Sequence, residues 1–249
     1  PEGTPEISEP REREVPVWKR GKGGDRRRRN LEHIAPSSLE GGGSRGVADV
    51  LRPESSLALL RGSIFHAWFG LIHWLEEGPP TDGQLDMASA KLLHHPGAVV
   101  LDLKALRVEF RELLETPFVD GLLREATYRD PVGSPLVSQI PSLADQADLR
   151  LEVHNEFPFA VREERGLLNG SIDRLIFVLD GEEVVAAEVL DYKTDTWGGS
   201  HPEVEAEKVA FYQPQIDAYR RVVASMTGLA PERIASRLLF VCQGRGVEL

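Results

Sequence analysis

The chain has 249 residues, enough for one large or two small domains, and its 41% hydrophobic and 28% charged residues are typical of a folded globular protein. The single cysteine excludes an internal disulfide and an all-cysteine metal cluster, and a cytoplasmic location is the default expectation. The net charge of −11 argues against a protein that coats DNA, and no apolar run is long enough to predict a membrane span.

The first 35 residues differ in composition from the rest. Proline, glutamate and arginine dominate residues 1–35, and apolar residues are too few to form a core, so we predict a disordered basic linker. Its two basic runs, Lys19–Lys22 and Arg26–Arg29, indicate either a solvated linker or a contact with DNA phosphates or a partner. Because the chain starts at Pro1 in this linker and ends in a predicted strand, we expect it to be the C-terminal part of a longer protein.

Helices are predicted for most of the region between residues 56 and 145. Apolar residues recur every three or four positions from Ser56 to Leu75, a stretch that contains His66 and is followed by the helix-ending sequence Gly78-Pro79-Pro80. The same spacing continues over residues 83–129, with breaks and without a recognisable motif. We therefore predict a helical insert over about 83–145 that forms an added lobe packed against a sheet.

The apolar pattern changes to the alternation typical of strands from about residue 150 onward. Three strands, a long helix and a last strand are predicted, in this order, at Leu151–Phe159, Leu167–Leu179, Val184–Tyr192, Glu203–Thr227 and Arg237–Gln243. A turn at Gly181-Glu182 would join the second and third strands as a hairpin. This order predicts one α/β domain over residues 36–249, with a mixed central sheet flanked by helices.

Two carboxylates and a lysine fall at neighbouring strand ends. Asp191 and Lys193 lie two residues apart on the third strand, so both side chains point to the same face. If the second and third strands form a hairpin, Asp173 lies next to Asp191. Two such carboxylates repel each other unless a cation lies between them, and their oxygens suit a hard dication such as Mg²⁺ or Mn²⁺. On its own, the Asp-x-Lys sequence is more often a solvated surface ion pair.

Five short motifs occur in a fixed order around these residues. They are, from the N-terminus, Gly62-x-x-x-His66, Glu156-x-Pro-Phe159, Gly170-x-x-Asp173-Arg174, Asp191-Tyr-Lys193-Thr194 and Gln215-x-x-x-Tyr219. Their order and spacing resemble the nuclease domain of the RecB and AddA family, within the PD-(D/E)xK nuclease superfamily, over roughly residues 36–243. The single cysteine separates the chain from relatives that hold an iron–sulphur cluster with four cysteines.

The resemblance implies a restriction-endonuclease-like fold and a metal centre. The ligands of the divalent ion, Mg²⁺ or Mn²⁺, would be the side chains of His66, Asp173 and Asp191 and the backbone carbonyl of Tyr192. Lys193 would be the catalytic lysine.

Three further motif residues receive less specific roles. Gln215 and Tyr219, four residues apart on the long helix, would face the active site together, and Glu156 would be an active-site carboxylate with an unassigned role. Alternative interpretations are open for these residues and for His66. His66 is compatible with a histidine packed in the core, Gln215 and Tyr219 with polar positions of an amphipathic helix, and Glu156 with a carboxylate at a strand edge.

The hypothesis of a shared metal ion makes a geometric prediction. The carboxylates of Asp173 and Asp191 are expected within about 5 Å of each other, and His66 within about 8 Å of them. A nitrogen ligand among oxygens tolerates Mn²⁺ better than Ca²⁺. We therefore expect activity with Mg²⁺ and Mn²⁺, and weak activity or inhibition with Ca²⁺.

The function implied by the resemblance is metal-dependent hydrolysis of DNA, by the exonuclease domain of a helicase-nuclease that acts in double-strand break repair and recombination. Its expected partners are single-stranded DNA, helicase domains of the same longer chain and a partner subunit, with no membrane. No Walker-type phosphate loop occurs in the sequence, so the motor would lie elsewhere. The alternatives are a non-catalytic DNA-binding or scaffolding module with a degenerate nuclease fold, and a stand-alone nuclease.

Overall fold

A six-stranded mixed sheet forms the centre of the molecule. The computed structural model describes residues 33–42, 53–94, 101–130, 133–144, 148–163, 166–199 and 201–249. The strands are, in chain order, β1 (His33–Ile34), β2 (Arg150–Glu163), β3 (Gly166–Asp180), β4 (Glu183–Lys193), β5 (Ile234–Phe240) and β6 (Arg245–Glu248). Parallel and antiparallel pairs both occur, and helices flank the sheet, so the predicted fold class is confirmed.

Helices cover both faces of this sheet. In the described part of the chain they are α1 (Pro53–Phe69), α2 (Asp82–Ser89), α3 (Leu103–Leu114), α4 (Pro117–Leu122), α5 (Glu125–Arg129), α6 (Pro135–Gln139) and α7 (Pro202–Thr227). Helices α2 to α6 fall within the region predicted as a helical insert. None of the helices in the described ranges combines the length and the apolar character needed to cross a lipid bilayer.

Strand β3 pairs with three other strands, and this arrangement leaves a gap beside it. Strand β2 lies antiparallel along one edge of β3. Because a strand has only two edges, β1 and β4 must share the other. Strand β1 pairs with β3 at Leu167 and Leu168, whereas β4 pairs with it from Arg174 to Asp180 as the predicted hairpin. Residues 169–173 of β3 therefore lie between the end of β1 and the end of β4.

Each face of the sheet contributes to its own apolar core. Adjacent residues of a strand point to opposite faces, and Val189 and Leu190 of β4 follow this rule. Leu190 packs with Trp68 and the other buried residues of α1 to α6. Val189 packs with Ile216 and the other buried residues of α7. Full burial of such apolar side chains stabilises the fold by roughly 1.5–3 kcal/mol each, so the helices on the two faces hold β4 between them.

Helix α1 is anchored on its buried side. Phe65 and Trp68 are fully buried. The indole N–H of Trp68 donates hydrogen bonds to the carbonyl of Leu85 at 2.9 Å and to the hydroxyl of Ser89 at 2.8 Å, both on α2. These contacts fix the rotation of α1 about its axis, and so fix the direction in which its polar residues point.

The end of α1 differs from the prediction. The helix ends at Phe69, six residues before the predicted end at Leu75. The chain turns there because the carbonyls of Ile72 and His73 accept hydrogen bonds from the guanidinium of Arg174, at 2.8 Å and 2.5 Å. The apolar pattern of the sequence extends into this turn, because Ile72 is buried although the helix has already ended. The pattern therefore predicts a helix that is too long.

The last predicted strand is shifted, and a further strand follows it. Strand β5 begins three residues before the predicted Arg237 and ends at Phe240, and a 3-10 helix occupies Val241–Gln243. Gly244 then adopts a φ of 63°, a left-handed conformation that glycine reaches without strain. This turn reverses the chain into β6, which pairs antiparallel with β5 and was not predicted.

The predicted linker over residues 1–35 falls almost entirely outside the described residues, as do both basic runs within it. His33 and Ile34, at its C-terminal end, form β1 and pair with β3. The Pro36–Gly42 segment follows, with 3-10 turns that are interrupted by a kink at Glu40 and Gly41. It contacts both β3 and α7, and so lies beside the gap between β1 and β4.

Candidate active site

A cavity of about 940 Å³ opens where β4 ends. Its walls come from the Pro36–Gly42 segment, α1, α2, the middle of β2 and β3, the end of β4, and α7. The predicted site residues that line it are His66, Glu156, Asp173, Asp191, Tyr192, Lys193 and Gln215. The structure thus brings together residues that lie up to 149 positions apart in the sequence, and only Tyr219 of the predicted set lies outside the lining.

Three carboxylates lie side by side on β2, β3 and β4. Glu156 and Asp173 lie between the pairs Asn155–Arg174 and Phe157–Ile172 of β2 and β3. Asp173 and Asp191 each follow directly on Arg174–Leu190, the last pair of β3 with β4. Glu156 has a φ of 48°, in the left-handed region that a non-glycine residue rarely adopts. This local strain interrupts the regular pairing of β2. The row of acidic residues therefore lies where the backbone pairing of β2 with β3 is interrupted.

His66 and Asp173 form a close pair within this row. Nδ1 of His66 lies 3.3 Å from Oδ1 of Asp173, and Oδ2 of Asp173 accepts a hydrogen bond of 2.8 Å from the backbone N–H of Tyr192. Burial opposes protonation of His66, but the charge and hydrogen bond of Asp173 outweigh it and raise the histidine pKa to about 9. Burial also opposes ionisation of Asp173, but His66 outweighs it and lowers the aspartate pKa.

Asp191 and Lys193 form a second close pair. Oδ2 of Asp191 lies 2.8 Å from Nζ of Lys193, and the Asp191 side chain is 1% exposed. Burial raises the pKa of Asp191 to about 6, although the lysine charge opposes this shift. For Lys193, burial lowers the pKa, but the nearby carboxylates, Asp191 foremost, outweigh it and raise the pKa. The ammonium is therefore charged and bound to a carboxylate at neutral pH.

Gln215 and Tyr219 take unequal parts in the site. The side-chain oxygen of Gln215 accepts a hydrogen bond of 2.8 Å from Nζ of Lys193. The Gln215 amide donates in turn to the hydroxyl of Tyr219 at 3.0 Å. Tyr219 is buried behind Gln215, and burial raises its pKa, so its hydroxyl stays protonated. Gln215 faces the cavity, whereas Tyr219 fixes the orientation of Gln215.

Tyr192 is part of the core as well as of the site. Its ring is 1% exposed and stacks on Phe69 of α1 at a centroid distance of 4.5 Å. The same ring meets the edge of His66 at 6.2 Å. These contacts join α1 to the end of β4, so they fix His66 relative to Asp173. The role predicted for the Tyr192 carbonyl, that of a metal ligand, stays a prediction.

Arg174, next to Asp173, has a structural role. Its side chain is fully buried, contacts the carbonyls that follow α1 and donates a hydrogen bond of 3.1 Å to Oδ1 of Asn155 on β2. Arg174 also lies over the ring of Trp74 at 4.9 Å. It therefore ties the turn that follows α1 to β2 and β3.

Three residues that sequence reasoning missed also belong to the site. Glu40 of the Pro36–Gly42 segment has Oε1 3.9 Å from Nζ of Lys193. The ring of Tyr212 lies 4.1 Å below the same Nζ, and its hydroxyl donates to Asp195 at 2.9 Å. Tyr212 precedes Gln215 by three positions on α7, so helical spacing was a usable signal for it. For Glu40 and Asp195 the sequence carries no such signal, because neither lies in a periodic element.

The donor set fits one divalent ion. His66, Glu156 and Asp173 each offer one ligand atom, and these three atoms lie within 4.8 Å of one another. Ligand atoms that share an ion at about 2.0–2.6 Å are separated by no more than about 5 Å, so the observed spacing is compatible with a common ion. Loss of surrounding water and the charge of Asp173 raise the pKa of Glu156. A cation between these carboxylates would relieve their repulsion.

A comparison with known protein families agrees with this geometry. The family model described as the PD-(D/E)XK nuclease superfamily matches residues 44–247, which is more than half of the chain. The match contains His66, all three carboxylates and Lys193. A search of curated proteins finds none that matches the chain.

Proposed function

The chain belongs to the PD-(D/E)XK nuclease superfamily, and from this we propose that it hydrolyses phosphodiester bonds of DNA with the help of Mg²⁺ or Mn²⁺. The observation that supports this most is the convergence of His66, Glu156 and Asp173 on one point, beside the Asp191–Lys193 pair. Asp173 and Asp191 are both buried, and burial of two like charges close together costs stability. A non-catalytic module would gain nothing from such a cluster, so the arrangement favours an enzyme.

The residues around the cavity suggest a division of roles. His66, Glu156 and Asp173 would hold the ion, with Asp191 and the carbonyl of Tyr192 as the further ligands expected from the sequence. When bound, a divalent ion supplies Lewis-acid chemistry, because it withdraws charge from a phosphate oxygen and makes a water molecule more acidic. Glu156 is added to the proposed metal ligands because its carboxylate lies close to His66 and Asp173. The sequence alone assigned it no role.

Lys193 would act on the phosphate or on the attacking water. A lysine ammonium has three N–H donors. Gln215 accepts one of them at 2.8 Å, and Asp191 forms an ion pair with Nζ at the same distance. A further donor would bind a phosphate oxygen, where a fixed positive charge stabilises the negative charge that develops in the transition state.

The wider setting of the enzyme is also part of this proposal. The motifs resemble those of RecB and AddA nuclease domains, which supports a nuclease that acts on single-stranded DNA delivered by helicase domains of a longer chain. A role in double-strand break repair and recombination and a partner subunit are proposed from the same resemblance. The cytoplasmic location is proposed from the single cysteine. Cleavage assays on single-stranded and duplex oligonucleotides with free or blocked ends test the substrate and the direction.

Replacement of His66 by alanine is expected to weaken Mg²⁺ and Mn²⁺ binding by about 100-fold, the upper end of the loss seen when a group that merely orients a metal ligand is removed. DNA affinity measured without metal changes little, because the histidine is not expected to contact phosphate. Titration calorimetry with metal, and fluorescence anisotropy with labelled DNA, measure the two effects. His73→Ala is the matched control, because His73 is exposed and lies outside the cavity lining. Equal metal affinity in both variants would contradict the ligand role.

Metal affinity is expected to rise with pH. A histidine binds a metal ion only when its nitrogen is unprotonated. Because the pKa of His66 is raised to about 9, the ring carries a proton at pH 7 that the metal must displace. Affinity for Mg²⁺ is therefore expected to increase by up to about tenfold between pH 7 and pH 8, since one proton is released for each ion bound. In His66→Ala this pH dependence disappears. A wild-type affinity that is constant over this range would contradict the prediction.

Metal binding also separates the enzyme from the non-catalytic alternative. We expect Mg²⁺ and Mn²⁺ to bind and to support cleavage, and Ca²⁺ to bind with weak support or inhibition. A degenerate module would bind neither Mg²⁺ nor Mn²⁺ at millimolar concentration, with or without DNA. Calorimetry with each ion decides between the two.

A further inference from the structure

Glu40 contacts the proposed catalytic lysine from a distant part of the sequence. Its Oε1 lies 3.9 Å from Nζ of Lys193, and its side chain is 8% exposed. A buried carboxylate is unfavourable unless positive charge or hydrogen bonds compensate it. We propose that Glu40 is a positioning residue that holds the Lys193 ammonium in the orientation needed for phosphodiester hydrolysis, an inference that rests on the proposed function.

The segment that carries Glu40 is held in place on both sides. On its N-terminal side, β1 pairs with β3, and Pro36 packs so closely on Gly170 that a Cβ there would lie 2.9 Å from the proline Cδ. On its C-terminal side, Gly41 has a φ of 60°, and a Cβ there would overlap the ring of Phe211 on α7. Neither glycine accepts a side chain without movement, so the position of Glu40 over the end of β4 is defined by packing.

The distance of Glu40 suits a positioning role. Gln215 takes one N–H donor of Lys193, Asp191 forms an ion pair with Nζ at 2.8 Å, and the ring of Tyr212 lies 4.1 Å from Nζ. At 3.9 Å, Glu40 adds negative charge without a short hydrogen bond to Nζ. The ammonium is therefore surrounded on several sides and still has one donor for a phosphate oxygen.

The first test is kinetic. Glu40→Gln keeps the size of the side chain and removes its charge, so kcat is expected to fall by about 10–100-fold, the usual effect of losing a partner that orients a functional group. KM for DNA and affinity for Mg²⁺ stay within about twofold of the wild type. Glu40→Asp, which keeps the charge one methylene farther away, gives an intermediate kcat. The matched control is Glu207→Gln, an exposed carboxylate on α7 that leaves kcat unchanged.

The second test needs neither metal nor activity. A buried and hydrogen-bonded ammonium exchanges its protons slowly, so the Nζ–H signal of Lys193 is expected in ¹H–¹⁵N spectra of the metal-free protein. Lys193→Met identifies the signal by its loss. In Glu40→Gln the signal broadens or disappears, whereas in Glu207→Gln it is unchanged.

The third test moves Glu40 without changing its chemistry. Gly41→Ala and Gly181→Ala both place a Cβ on a residue with positive φ, 60° and 62°, so both add the same backbone strain. At Gly181 no atom lies within 4 Å of the added Cβ, whereas at Gly41 the ring of Phe211 blocks it. We expect kcat to fall only in Gly41→Ala, at a temperature where thermal melts show both variants folded.

The outcomes separate this inference from the proposed function. A wild-type kcat or an unchanged Lys193 ammonium signal in Glu40→Gln overturns the positioning role. A parallel fall in Mg²⁺ affinity also overturns it, because Glu40 would then act as a metal ligand. If the wild-type protein cleaves no DNA, the proposed function fails, and the ammonium signal still decides whether Glu40 positions Lys193.

Discussion

Replacement of Asp191 by asparagine is expected to lower metal-dependent DNA cleavage by at least about 10³-fold, which corresponds to about 4 kcal/mol of transition-state stabilisation. Asparagine keeps the shape and an oxygen that Lys193 can bind, but it removes the negative charge. Because Asp191 lies beside both Asp173 and Lys193, this one change weakens the ligand set and the partner of the lysine together. Initial cleavage rates of a labelled oligonucleotide at saturating Mg²⁺ measure the effect.

Loss of the fold is not expected to explain this result. Burial raises the pKa of Asp191 to about 6, so the folded protein binds this proton more tightly than the unfolded chain does. Above pH 6 the ionised Asp191 therefore costs stability, but its loss also leaves the buried Lys193 ammonium without its nearest carboxylate. These two effects oppose each other, so activity is measured at a temperature where thermal melts show that Asp191→Asn is folded. Asp180→Asn, at the exposed turn end of the same hairpin, is the control and keeps full activity. Cleavage at the wild-type rate by Asp191→Asn contradicts the assignment.

Replacement of Lys193 by methionine has the second largest expected effect, a loss of about 10²–10³ in kcat. Methionine keeps most of the length and the apolar contact with the Tyr212 ring, but it removes the charge that would face the phosphate. The removal also leaves Asp191 buried without its ammonium, so the protein is expected to be less stable, by up to about 3–5 kcal/mol. Activity is therefore measured well below the melting temperature of the variant.

The control for the lysine is Lys104→Met, an exposed position on α3 outside the cavity lining. It removes the same charge from the molecule without touching the site, and it keeps the wild-type kcat. A Lys193→Met protein that is folded and cleaves DNA at the rate of Lys104→Met would show that the lysine has no part in the reaction.

The strands could be predicted closely because their sequence signals are local. The alternation over residues 167–179, the turn at Gly181 and the apolar run of β4 specify a hairpin, and the structure has it with the expected pairing. That hairpin alone puts Asp173 beside Asp191. The predicted ends of helices and strands were less accurate where residues distant in the sequence determine them. The end of α1 depends on Arg174, which is more than 100 residues away, and β6 depends on a turn at Gly244.

The site could be predicted in part, for the same reason. His66 was placed by a motif, and the structure brings it within 3.3 Å of Asp173, well inside the predicted limit. Glu156 received no role because its position depends on the register of β2 and on a φ of 48°, neither of which the sequence specifies. Tyr219 was expected in the cavity, but burial behind Gln215 gives it a supporting contact.

Glu40 shows the limit of reasoning from local patterns. It lies at the kink of the Pro36–Gly42 segment, which has no periodic apolar spacing, 153 residues before Lys193. Its contact with Lys193 exists because β1 pairs with β3 on the same edge as β4, so the segment after β1 must pass beside the end of β4. Only the complete sheet topology contains that information.

The central claim, that this domain is an active metal-dependent nuclease, is tested most directly by one cleavage assay. The wild-type protein is incubated with labelled single-stranded and duplex DNA, in the presence of Mg²⁺, Mn²⁺ or excess chelator, and the products are separated by size. We expect cleavage with either metal, none with chelator, and recovery when metal is restored in excess. Intact DNA of both kinds under every metal condition, from a protein shown to be folded, would contradict the claim.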